Sequence, residues 1–428
     1  MPAKVPLARE GAYGGRMTDR ELDLVVHGAS GFAGALVAAY LAENAPHQVR
    51  VGLSGRSLER LTAVRDGLGP RAAGWELVVA DAHDEVALRA LARRTRVVAS
   101  TVGPYERHGL PLTRACAAEG TDYVDLTGEV LFMRASIEAN HAAAQASGAR
   151  LVHACGFDSV PSDLGVLLLA QTAATHGLGE LTDTRFVLTG SRGGFSGGTV
   201  DSLRAQVDRM RADPAARAVV ADPYALSPDR AAEPDRTADA PGDRRDRWGV
   251  QWDPDSRRWL GAFVMGPVNT RVVRRSNALS GWSYGRRFRY QESVGIPGRI
   301  LGAPAAAALT VGTGGLALGM AVAPTRALLD RVLPAPGTGP DATTREKGYF
   351  SVRLHSRTTT GRLVQVTVAA AGDPGYAATA RMLGESALAL VLDRDRLPDR
   401  AGVLTPATAM GEVLGERLRL AGMTLQAL

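Results

Sequence analysis

The hydrophobic and polar positions of this chain alternate, from Glu21 onward, between short apolar runs and longer segments with helical periodicity. The apolar runs have the length of strands, and the segments between them are long enough for helices. In chain order they read LDLVVHG, GFAGALVAAYLAEN, VRVGLSG, SLERLTAVRDGL, WELVVADAHD and EVALRALARR. Alternating strands and helices are typical of a parallel sheet that helices cover on both faces. The pattern therefore predicts an α/β fold with a Rossmann-type, doubly wound parallel sheet.

The alternation extends to about residue 156 and predicts two domains. It continues with VVAST, a helix after His108, DYVDL, FMRASIEANHAAAQASG and RLVHAC. Beyond this point the periodicity is mixed, which favours a second, α+β domain. There we predict helices from Pro161, over 199–211, from Tyr376 and from Thr408, and strands near 184–190, 259–265, 282–290, 349–354 and 362–370. The predicted parts are a flexible tail over 1–20, a first domain over 21–156 and a second over 157–428.

Two segments of the second domain depart from this pattern. The segment 212–246 is dense in Arg, Asp, Ala and Pro, so we predict a polar insertion or mobile loop without a catalytic role. The segment 300–329 consists mainly of Ala, Gly, Leu and Val, with Arg326 as its one charged residue. Its length would permit a membrane span, but Pro304 and Pro324 interrupt it. A helix pair that is buried or apolar at the surface is therefore favoured, and contact with an acyl chain or a membrane surface stays open.

The composition excludes several classes of protein. With 428 residues, 45% hydrophobic and 22% charged, the chain can form two packed domains and is not disordered, collagen-like or a coiled coil. Its net charge is +6, but the basic residues are spread along the chain among aspartates, so we expect no nucleic-acid binding. The two cysteines cannot build a disulfide framework or a Cys-rich zinc site. Because the chain has only two cysteines, we expect a reduced, cytoplasmic setting, and no signal-peptide core precedes the first strand.

A glycine-rich loop follows the first predicted strand. Its residues are Gly28, Ala29, Ser30, Gly31, Phe32, Ala33 and Gly34. Glycines at this spacing permit a tight turn, close approach of the backbone to a pyrophosphate and packing of the next helix on the strand. The backbone amides at the start of that helix then face the phosphates. Because the loop lies in a predicted βαβ unit, we predict that it binds a dinucleotide.

The end of the second predicted strand indicates which dinucleotide is bound. An acidic residue there would bind the adenosine ribose hydroxyls, but this strand is followed by Arg56 and Ser57. A guanidinium can form paired, charge-assisted hydrogen bonds with a 2′-phosphate, so NADP(H) is favoured over NAD(H). The alternative is a surface arginine at a helix start. Asp81, after the third strand, either contacts adenine or caps the next helix.

The end of the fourth predicted strand marks the nicotinamide side of the crevice. Thr101, Val102, Gly103 and Pro104 lie where a doubly wound sheet passes the nicotinamide ring. Their backbone atoms can orient the ring. An ordinary strand-to-helix turn also explains the Gly-Pro pair, and this alternative stays open.

Longer motifs indicate the kind of oxidoreductase. A short-chain dehydrogenase is excluded, because neither Lys4 nor Lys347 can supply the Tyr-x-x-x-Lys pair of that class. Instead, YVDLTGE at 123–129 and GFDSVPSD at 156–163 resemble the saccharopine dehydrogenase-like oxidoreductases, as do GYAATARMLGE and GVLTPATAMGE near the C-terminus. Over most of its length from Glu21, the chain looks most similar to their trans-acting enoyl reductase group.

The resemblance implies an activity and partners. Members of this group are associated with reducing a double bond on polyketide-derived acyl chains of long lipids, so we expect an NADPH-dependent reductase of an acyl thioester, with a polyketide synthase acyl carrier as a candidate partner. The arginines show no fixed cluster for an amino-dicarboxylate substrate, and 300–329 suits a lipid better. Two alternatives stay open. The protein could reduce a small imine, or it could be a non-catalytic cofactor-binding protein on membranes or lipids. A homodimer formed through the second domain is a further candidate.

Enoyl reduction needs a hydride from the cofactor, stabilisation of the developing enolate and a proton for the α-carbon. Candidate groups stand at the ends of the fourth to sixth predicted strands. The candidates for catalysis are Tyr105, Asp125, Asp158 and Ser159. Tyr105 is the first candidate for proton donor, because a phenol can hydrogen-bond an enolate oxygen, but a packed aromatic ring is an equal alternative.

The two acidic motifs each have two interpretations. Asp125, Thr127 and Glu129 either face the substrate or form a turn rich in polar caps. Ser159 and Ser162 either contact the substrate or mark a helix start. Neither motif is assigned the proton-transfer role.

Histidines and a second glycine-rich segment complete the candidates. His108 can titrate near neutral pH, but a structural role is favoured. His27 and His153 are expected in the core or in a subunit contact. The segment 193–199 is interpreted as a flexible lid rather than as a cradle for an anion. No metal site is expected, because no histidine pair at helical spacing and no thiol cluster occurs.

Overall fold

The computed structural model describes residues 20–193, 197–233, 249–332 and 339–428. Within these ranges the chain forms two seven-stranded sheets, against which helices pack. The predicted N-terminal tail up to residue 19, most of the second half of the predicted polar insertion and the middle of the segment 193–199 lie outside the described residues.

The first sheet is parallel throughout. Its strands are β1 (Leu22–His27), β2 (Val51–Gly55), β3 (Glu76–Val79), β4 (Thr95–Ser100), β5 (Asp122–Asp125), β6 (Arg150–Val152) and β13 (Gly402–Leu404). They lie in the order β13-β6-β5-β4-β1-β2-β3, and every pairing is parallel. The strand order reverses at β1, which opens a crevice at the carboxyl ends of β1 and β4. This arrangement confirms the predicted Rossmann-type sheet.

Helices with well-defined ends connect these strands. They are α1 (Phe32–Asn44), α2 (Leu58–Gly67), α3 (Glu85–Arg94), α4 (Tyr105–Glu119) and α5 (Val130–Ser147). The side chains of Ser57 and Asp84 cap α2 and α3 by accepting hydrogen bonds from first-turn N–H groups. Gly120 and Gly148 end α4 and α5 in the left-handed conformation. All six residues of β1 are buried, as expected for a strand that helices cover on both faces.

The second sheet is mixed. Its strands are β7 (Leu181–Arg192), β8 (Gln251–Asp253), β9 (Arg258–Ala262), β10 (Arg289–Ile296), β11 (Tyr349–Thr358), β12 (Leu363–Ala371) and β14 (Thr424–Ala427). They lie in the order β14-β12-β11-β7-β10-β9-β8, where β10 and β7 are parallel and the other pairs are antiparallel. Buried and partly exposed residues alternate along β12, because one face of the sheet packs on the core.

The remaining helices belong to the second half of the chain. They are α6 (Val160–Thr175), α7 (Gly197–Ala212), α8 (Pro214–Ala221), α9 (Gly266–Leu279), α10 (Gly302–Ala321), α11 (Ala323–Val332), α12 (Ala342–Glu346), α13 (Ala377–Leu392), α14 (Pro406–Ala409) and α15 (Gly411–Leu420). Helix α6 follows the end of β6 and packs against β7, β11, β12 and β14. It therefore joins the carboxyl edge of the first sheet to the second sheet.

The C-terminal part of the chain returns to the first sheet. Strand β13 pairs with β6, and α13 packs against α1, β1, β4 and β5. The first sheet is thus completed by residues outside 21–156. The domain limits at 156 and 157 stay predictions.

Residues 212–233, the first part of the predicted polar insertion, are folded. Ala225 and Leu226 are buried against residues of α5 and α9. Three buried arginines of α9 donate hydrogen bonds to carbonyl oxygens of this segment, Arg271 to Val220, Arg274 to Pro223 and Arg275 to Leu226. These contacts also explain why periodicity does not predict α9, because the helix is buried on nearly all sides and its buried positions carry guanidinium groups as well as apolar side chains.

The strand predicted near 282–290 starts only at Arg289. Gly281 and Gly285 have positive φ angles, and the chain turns between them before it enters β10. The aromatic residues that suggested a strand instead pack in this turn, where the rings of Tyr284 and Phe288 have centroids 5.7 Å apart.

The apolar segment 300–329 forms a helix pair at the surface, α10 and α11. Leu301, Val311 and Leu318 of this pair are 79%, 74% and 72% exposed. In the described residues α10 is the one helix that is long and apolar enough to cross a membrane, and 11% of its most apolar window is buried. Of the two arrangements predicted for this segment, the structure shows the surface one.

Candidate active site

The glycine-rich loop makes the turn from β1 to α1. Gly28 has a φ angle of 87°, and its carbonyl oxygen accepts a hydrogen bond from the N–H of Gly31 at 2.9 Å. A Cβ on Gly34 would lie 2.2 Å from that carbonyl oxygen, so only glycine lets α1 pack this closely on the loop. Gly31, the N-cap residue, has no side chain to cap α1. The first-turn N–H groups can therefore bind a pyrophosphate.

The loop lies beside the end of β2. The N–H of Ala29 donates to the carbonyl oxygen of Ser54 at 3.1 Å, and Ser30 lies beside Gly55. Arg56, the next residue, is exposed at the carboxyl end of β2, where the 2′-phosphate of an adenosine ribose would lie. This position suits the role that the sequence predicts for Arg56.

The other two residues predicted at the adenosine end have local hydrogen bonds. The Ser57 hydroxyl accepts from the N–H of Arg60 at 3.3 Å and caps α2. The Asp81 carboxylate accepts from the N–H of His83 at 2.9 Å, whereas Asp84 caps α3. Asp81 is therefore not the helix cap, and its predicted contact with adenine stays a prediction.

The loop after β4 packs on the glycine-rich loop. The Thr101 hydroxyl lies within hydrogen-bond distance of the carbonyl oxygens of His27 at 3.2 Å and Gly28 at 3.3 Å. The Val102 side chain packs against Gly28, and the Gly103–Pro104 peptide bond is cis. These contacts place residues 101–104 at the crevice between β1 and β4, on the side predicted for the nicotinamide.

Residues from the second half of the chain cover the start of α1. The rings of Phe32 and Tyr376 meet edge to face with centroids 4.8 Å apart. The Arg345 guanidinium lies 5.5 Å from the centroid of the Phe32 ring, and Gly339 packs against the same ring. The Tyr376 hydroxyl oxygen accepts a hydrogen bond from the N–H of Gly197 at 3.1 Å, at the start of α7. The phosphate end of the crevice is therefore bounded by both halves of the chain.

The Tyr105 hydroxyl is held inside the protein. It donates to the carbonyl oxygen of Ser100 at 3.0 Å and accepts from the N–H of Leu126 at 3.1 Å. The side chain is 5% exposed and packs against Phe132, and burial raises its pKa well above the usual value. This geometry supports the packed-ring alternative, because both hydrogen-bonding sites of the phenol are used by the backbone.

The DLTGE motif forms a set of caps. The Glu129 carboxylate accepts hydrogen bonds from the N–H groups of Tyr105 at 2.9 Å and Glu106 at 2.7 Å, in the first turn of α4. It also accepts from the Ser202 hydroxyl of α7 at 2.6 Å. The Thr127 hydroxyl accepts from the N–H of Glu129 at 3.1 Å. Burial raises the pKa of Glu129, and the three donors oppose this rise.

Asp125 belongs to a buried polar chain. Its carboxylate accepts from the N–H groups of Thr127 at 3.1 Å and Ala154 at 3.0 Å, and from Nδ1 of His153 at 2.7 Å. Nε2 of His153 lies 2.9 Å from the Ser136 hydroxyl. The order Ser136, His153, Asp125 is that of a hydrolase triad, but the exposed fractions of the three residues are 0%, 3% and 0%. Their hydrogen bonds therefore join β5 and β6 to α5 rather than face a substrate.

Asp158 is different, because it is partly exposed after β6. Its carboxylate oxygens face Gly128 and Gly156, so that a Cβ on these residues would lie 3.7 Å and 3.2 Å from them. Burial raises the pKa of Asp158 to about 7, its own backbone N–H opposes the rise, and the negative charge of Asp125 adds to it. A carboxyl group with this pKa can give or take a proton near neutral pH.

Ser159 begins a hydrogen-bond chain that leads away from the crevice. Its hydroxyl donates to Asn269 Oδ1 at 3.1 Å, and Asn269 Nδ2 donates to Glu292 at 2.8 Å. Tyr290 donates to the same carboxylate at 2.7 Å. Ser159 is also the N-cap residue of α6, and it is fully buried. The structural interpretation of Ser159 is thus the better supported one.

Several residues that line this region were not predicted from the sequence. Met265 lies against Gly128, and the Thr379 hydroxyl accepts a hydrogen bond from the N–H of Phe157 at 3.0 Å. Tyr376 and Thr379 lie in the GYAATARMLGE motif, whose resemblance to the family was a usable signal. Met265 stands at the start of α9, where no sequence signal pointed to the site.

A group of possible metal ligands lies in the second sheet. Asp253, Asp255 and His355 each offer one ligand atom, and these atoms lie within 4.8 Å of one another. However, Arg185 donates to Asp253 at 2.9 Å and Arg357 to Asp255 at 2.9 Å. The positive charges of two guanidinium groups next to the carboxylates disfavour the binding of a metal cation. We assign no metal to this group.

Comparison with known proteins identifies the cofactor-binding region of the chain. The family model of the saccharopine dehydrogenase NADP binding domain matches residues 24–152, which contain the glycine-rich loop and Arg56. This match confirms the predicted cofactor, NADP(H). Among solved structures, the apo, histidine-tagged saccharopine dehydrogenase (L-Glu forming) of Saccharomyces cerevisiae is 14% identical, with a TM-score of 0.49 and coverage of 95% of this chain and 99% of that one.

Relatives of nearly equal length are much more similar. A Mycobacterium tuberculosis protein that is named provisionally as a trans-acting enoyl reductase is 50% identical over 415 residues, which cover 96% of this chain and 98% of the relative. The trans-acting enoyl reductase of Mycobacterium ulcerans is 48% identical over 415 residues, which cover 95% of this chain and 98% of the relative. The chain is thus an NADP(H)-binding oxidoreductase and belongs to the family of the trans-acting enoyl reductases.

Proposed function

We propose that this protein reduces the double bond of a polyketide-derived acyl thioester with NADPH, in the synthesis of complex lipids, and that Asp158 donates the proton. The names of the relatives support the reaction class. The observation that carries the residue assignment is Asp158, a partly exposed residue at the carboxyl edge of the first sheet, whose carboxyl group has a pKa that burial raises to about 7. Asp125 and Ser159 are instead buried in structural hydrogen bonds.

The chain's own residues divide the work as follows. The first-turn amides of α1 bind the pyrophosphate, and Arg56 binds the 2′-phosphate. The loop 101–104 orients the nicotinamide, and bound NADPH supplies the hydride that reaches the β-carbon of the substrate. The protonated Asp158 gives its proton to the α-carbon as the enolate collapses. Because Asp158 is partly exposed, solvent can restore the proton before the next turnover.

Variants of Asp158 test this assignment. We expect Asp158→Asn to lower kcat at least about a hundredfold, the usual contribution of a positioned acid, with little change in the Kd of NADPH. The pH profile of kcat for the unchanged protein should fall as the pH rises through about 7, where the carboxyl ionises. Asp66→Asn, at an exposed position on α2, is the matched control. If Asp158→Asn keeps both the kcat and the pH profile of the unchanged protein, Asp158 is not the proton donor.

The substrate is tested with the same NADPH oxidation measurement. We expect oxidation with an enoyl thioester, faster when the acyl chain is on a polyketide synthase carrier domain than when it is on coenzyme A. Oxidation with a saccharopine-type imine precursor alone would favour the small-imine alternative. Binding of NADPH without oxidation by any of these substrates would favour a non-catalytic role.

We also propose that the exposed face of α10 contacts lipid. Val311 and Leu318 on this helix and Leu301, its N-cap residue, are mostly exposed, and the helix carries no charged residue. Apolar area of this kind binds the interface of a bilayer when it is large enough. Replacing these three residues by serine should abolish co-sedimentation with phospholipid vesicles and leave NADPH affinity unchanged. Loss of a homodimer instead, measured by sedimentation velocity, would assign the same face to subunit contact. We therefore propose that the enzyme is cytoplasmic and contacts lipid peripherally.

A further inference from the structure

Two histidines meet at the adenosine end of the crevice. His83 follows β3, and His108 lies in the first turn of α4. Nδ1 of His108 and Nε2 of His83 are 3.0 Å apart, and the two rings are close to perpendicular, with centroids 4.9 Å apart. His83 is exposed and His108 is partly exposed. The pair therefore joins the loop after β3 to the first turn of α4 and can be reached by a ligand.

Two charged residues that are predicted at the cofactor site, Arg56 and Asp81, act on His108. The groups that act on His108 within the described residues are His83, Arg107, Asp81 and Arg56. Burial lowers the pKa of His108 most, His83 and the two arginines lower it further, and Asp81 opposes them. The surroundings of His108 therefore favour its uncharged form, and its Nδ1 shares one hydrogen bond with Nε2 of His83.

An imidazole pair of this kind can take up a proton without losing its hydrogen bond. One ring donates and the other accepts in the neutral pair, and the extra proton occupies a nitrogen that points away from the contact. The pair then carries one positive charge. A phosphate dianion placed next to it would favour this charged form, because an opposite charge within about 4–6 Å stabilises protonated histidine.

We propose that His83 and His108 form, together with Arg56, the subsite for the 2′-phosphate of NADPH, and that the pair takes up a proton when the phosphate binds. In a doubly wound sheet the residue after β2 meets the 2′ position of the ribose, and Arg56 occupies this place. The Asp81 carboxylate, the predicted adenine contact, accepts a hydrogen bond from the N–H of His83. The proposal rests on NADP(H) binding and not on the acyl substrate.

Binding measurements at several pH values test the proposal. The protein is titrated with NADPH and with NADH between pH 6 and pH 8. The affinities of His83→Gln and His108→Gln are compared with those of His47→Gln. His47 is an exposed histidine between α1 and β2, at the opposite edge of the sheet. For the unchanged protein we expect NADPH to bind roughly three- to tenfold more tightly at pH 6 than at pH 8. This is the range that a rise of up to about one unit in the pKa of the histidine pair gives. Protonation of the 2′-phosphate, whose second pKa is about 6, acts against this trend.

The variants separate the possible outcomes. Each of the two glutamine variants should remove the pH dependence of NADPH binding and weaken NADPH binding at pH 6, with little effect on NADH. Calorimetry of NADPH binding in two buffers with different ionisation heats should show proton uptake in the unchanged protein and in His47→Gln only. Equal weakening of NADPH and NADH binding would show an adenine contact and overturn the proposal, as would unchanged binding. Arg56→Glu is the positive reference for loss of the phosphate contact.

Discussion

The ring of Tyr376 lies edge to face against the ring of Phe32, with 4.8 Å between their centroids. Phe32 is the first residue of α1 and a member of the glycine-rich loop, whereas Tyr376 comes from the C-terminal part of the chain, just before α13. Because α13 also packs against α1, the C-terminal part of the chain supports the helix whose first turn is predicted to bind the cofactor phosphates. The two rings thus couple the cofactor loop to elements outside the matched NADP-binding region.

This contact leads to a prediction for Tyr376. We expect Tyr376→Ala to lower the free energy of unfolding by about 3 kcal/mol, because it removes a buried aromatic ring. It should also weaken NADPH binding, since Phe32 loses its neighbour at the phosphate end. Tyr376→Phe is the control that keeps the ring and loses one hydrogen bond, at about 1 kcal/mol. Urea unfolding and NADPH titration of both variants measure the difference. Equal NADPH affinity in the two variants would show that the Tyr376 ring does not contribute to cofactor binding.

The close packing of α1 on the loop leads to a second prediction. A methyl group on Gly34 would lie 2.2 Å from the Gly28 carbonyl oxygen, so Gly34→Ala must push α1 away from the loop. We expect a loss of stability of about 1–3 kcal/mol, as for overpacked sites, and at least a tenfold higher Kd of NADPH. Gly67→Ala, in open space at the end of α2, is the matched control and should change neither quantity. Thermal unfolding and NADPH titration provide the measurements.

The sequence was sufficient to predict the first sheet and the cofactor loop, because both depend on local patterns. The run from Leu22 to His27 is apolar except for Asp23 and His27, and it forms a strand that is buried on both faces. The glycines of the loop and the position of Arg56 follow from the βαβ order. These features need no knowledge of contacts between distant parts of the chain.

The rest depends on contacts that a local pattern does not encode. Helix α9 buries Arg271, Arg274 and Arg275, which bind backbone carbonyl oxygens, so its buried face is not an apolar stripe. Strand β13 joins the first sheet from residues 402–404, far from β6 in sequence. Likewise, only the structure separates Asp158, which is partly exposed, from Asp125, which is fully buried, although both follow strands of the same edge.

The buried chain Ser136, His153 and Asp125 provides a third prediction. If its role is structural, Ser136→Ala should lower the free energy of unfolding by about 1–3 kcal/mol, because Nε2 of the buried His153 loses its partner. The kcat of NADPH oxidation should stay within twofold of the unchanged protein. Ser147→Ala, at the C-terminal end of the same helix, removes a hydroxyl that is not part of this hydrogen-bond network and serves as the comparison. A large fall in kcat at unchanged stability would instead place Ser136 in the reaction.

The pKa of Asp158 leads to a prediction for stability that is independent of activity. Its folded-state pKa is about 7, against 3.8 for the ordinary carboxyl, so the folded protein binds more protons than the unfolded chain between about pH 4 and pH 7. The contribution of this group to stability is therefore complete below about pH 4 and is lost as the pH rises through 7. Asp158→Asn removes the ionisation, so its free energy of unfolding should exceed that of the unchanged protein at pH 8, by no more than about 4 kcal/mol, and the difference should be smallest at pH 4. Asp163, whose pKa burial raises to about 6, remains in both proteins and cancels in the comparison. Chemical unfolding of the two proteins at pH 4, 6 and 8 measures the difference, and a difference independent of pH would contradict the raised pKa of Asp158.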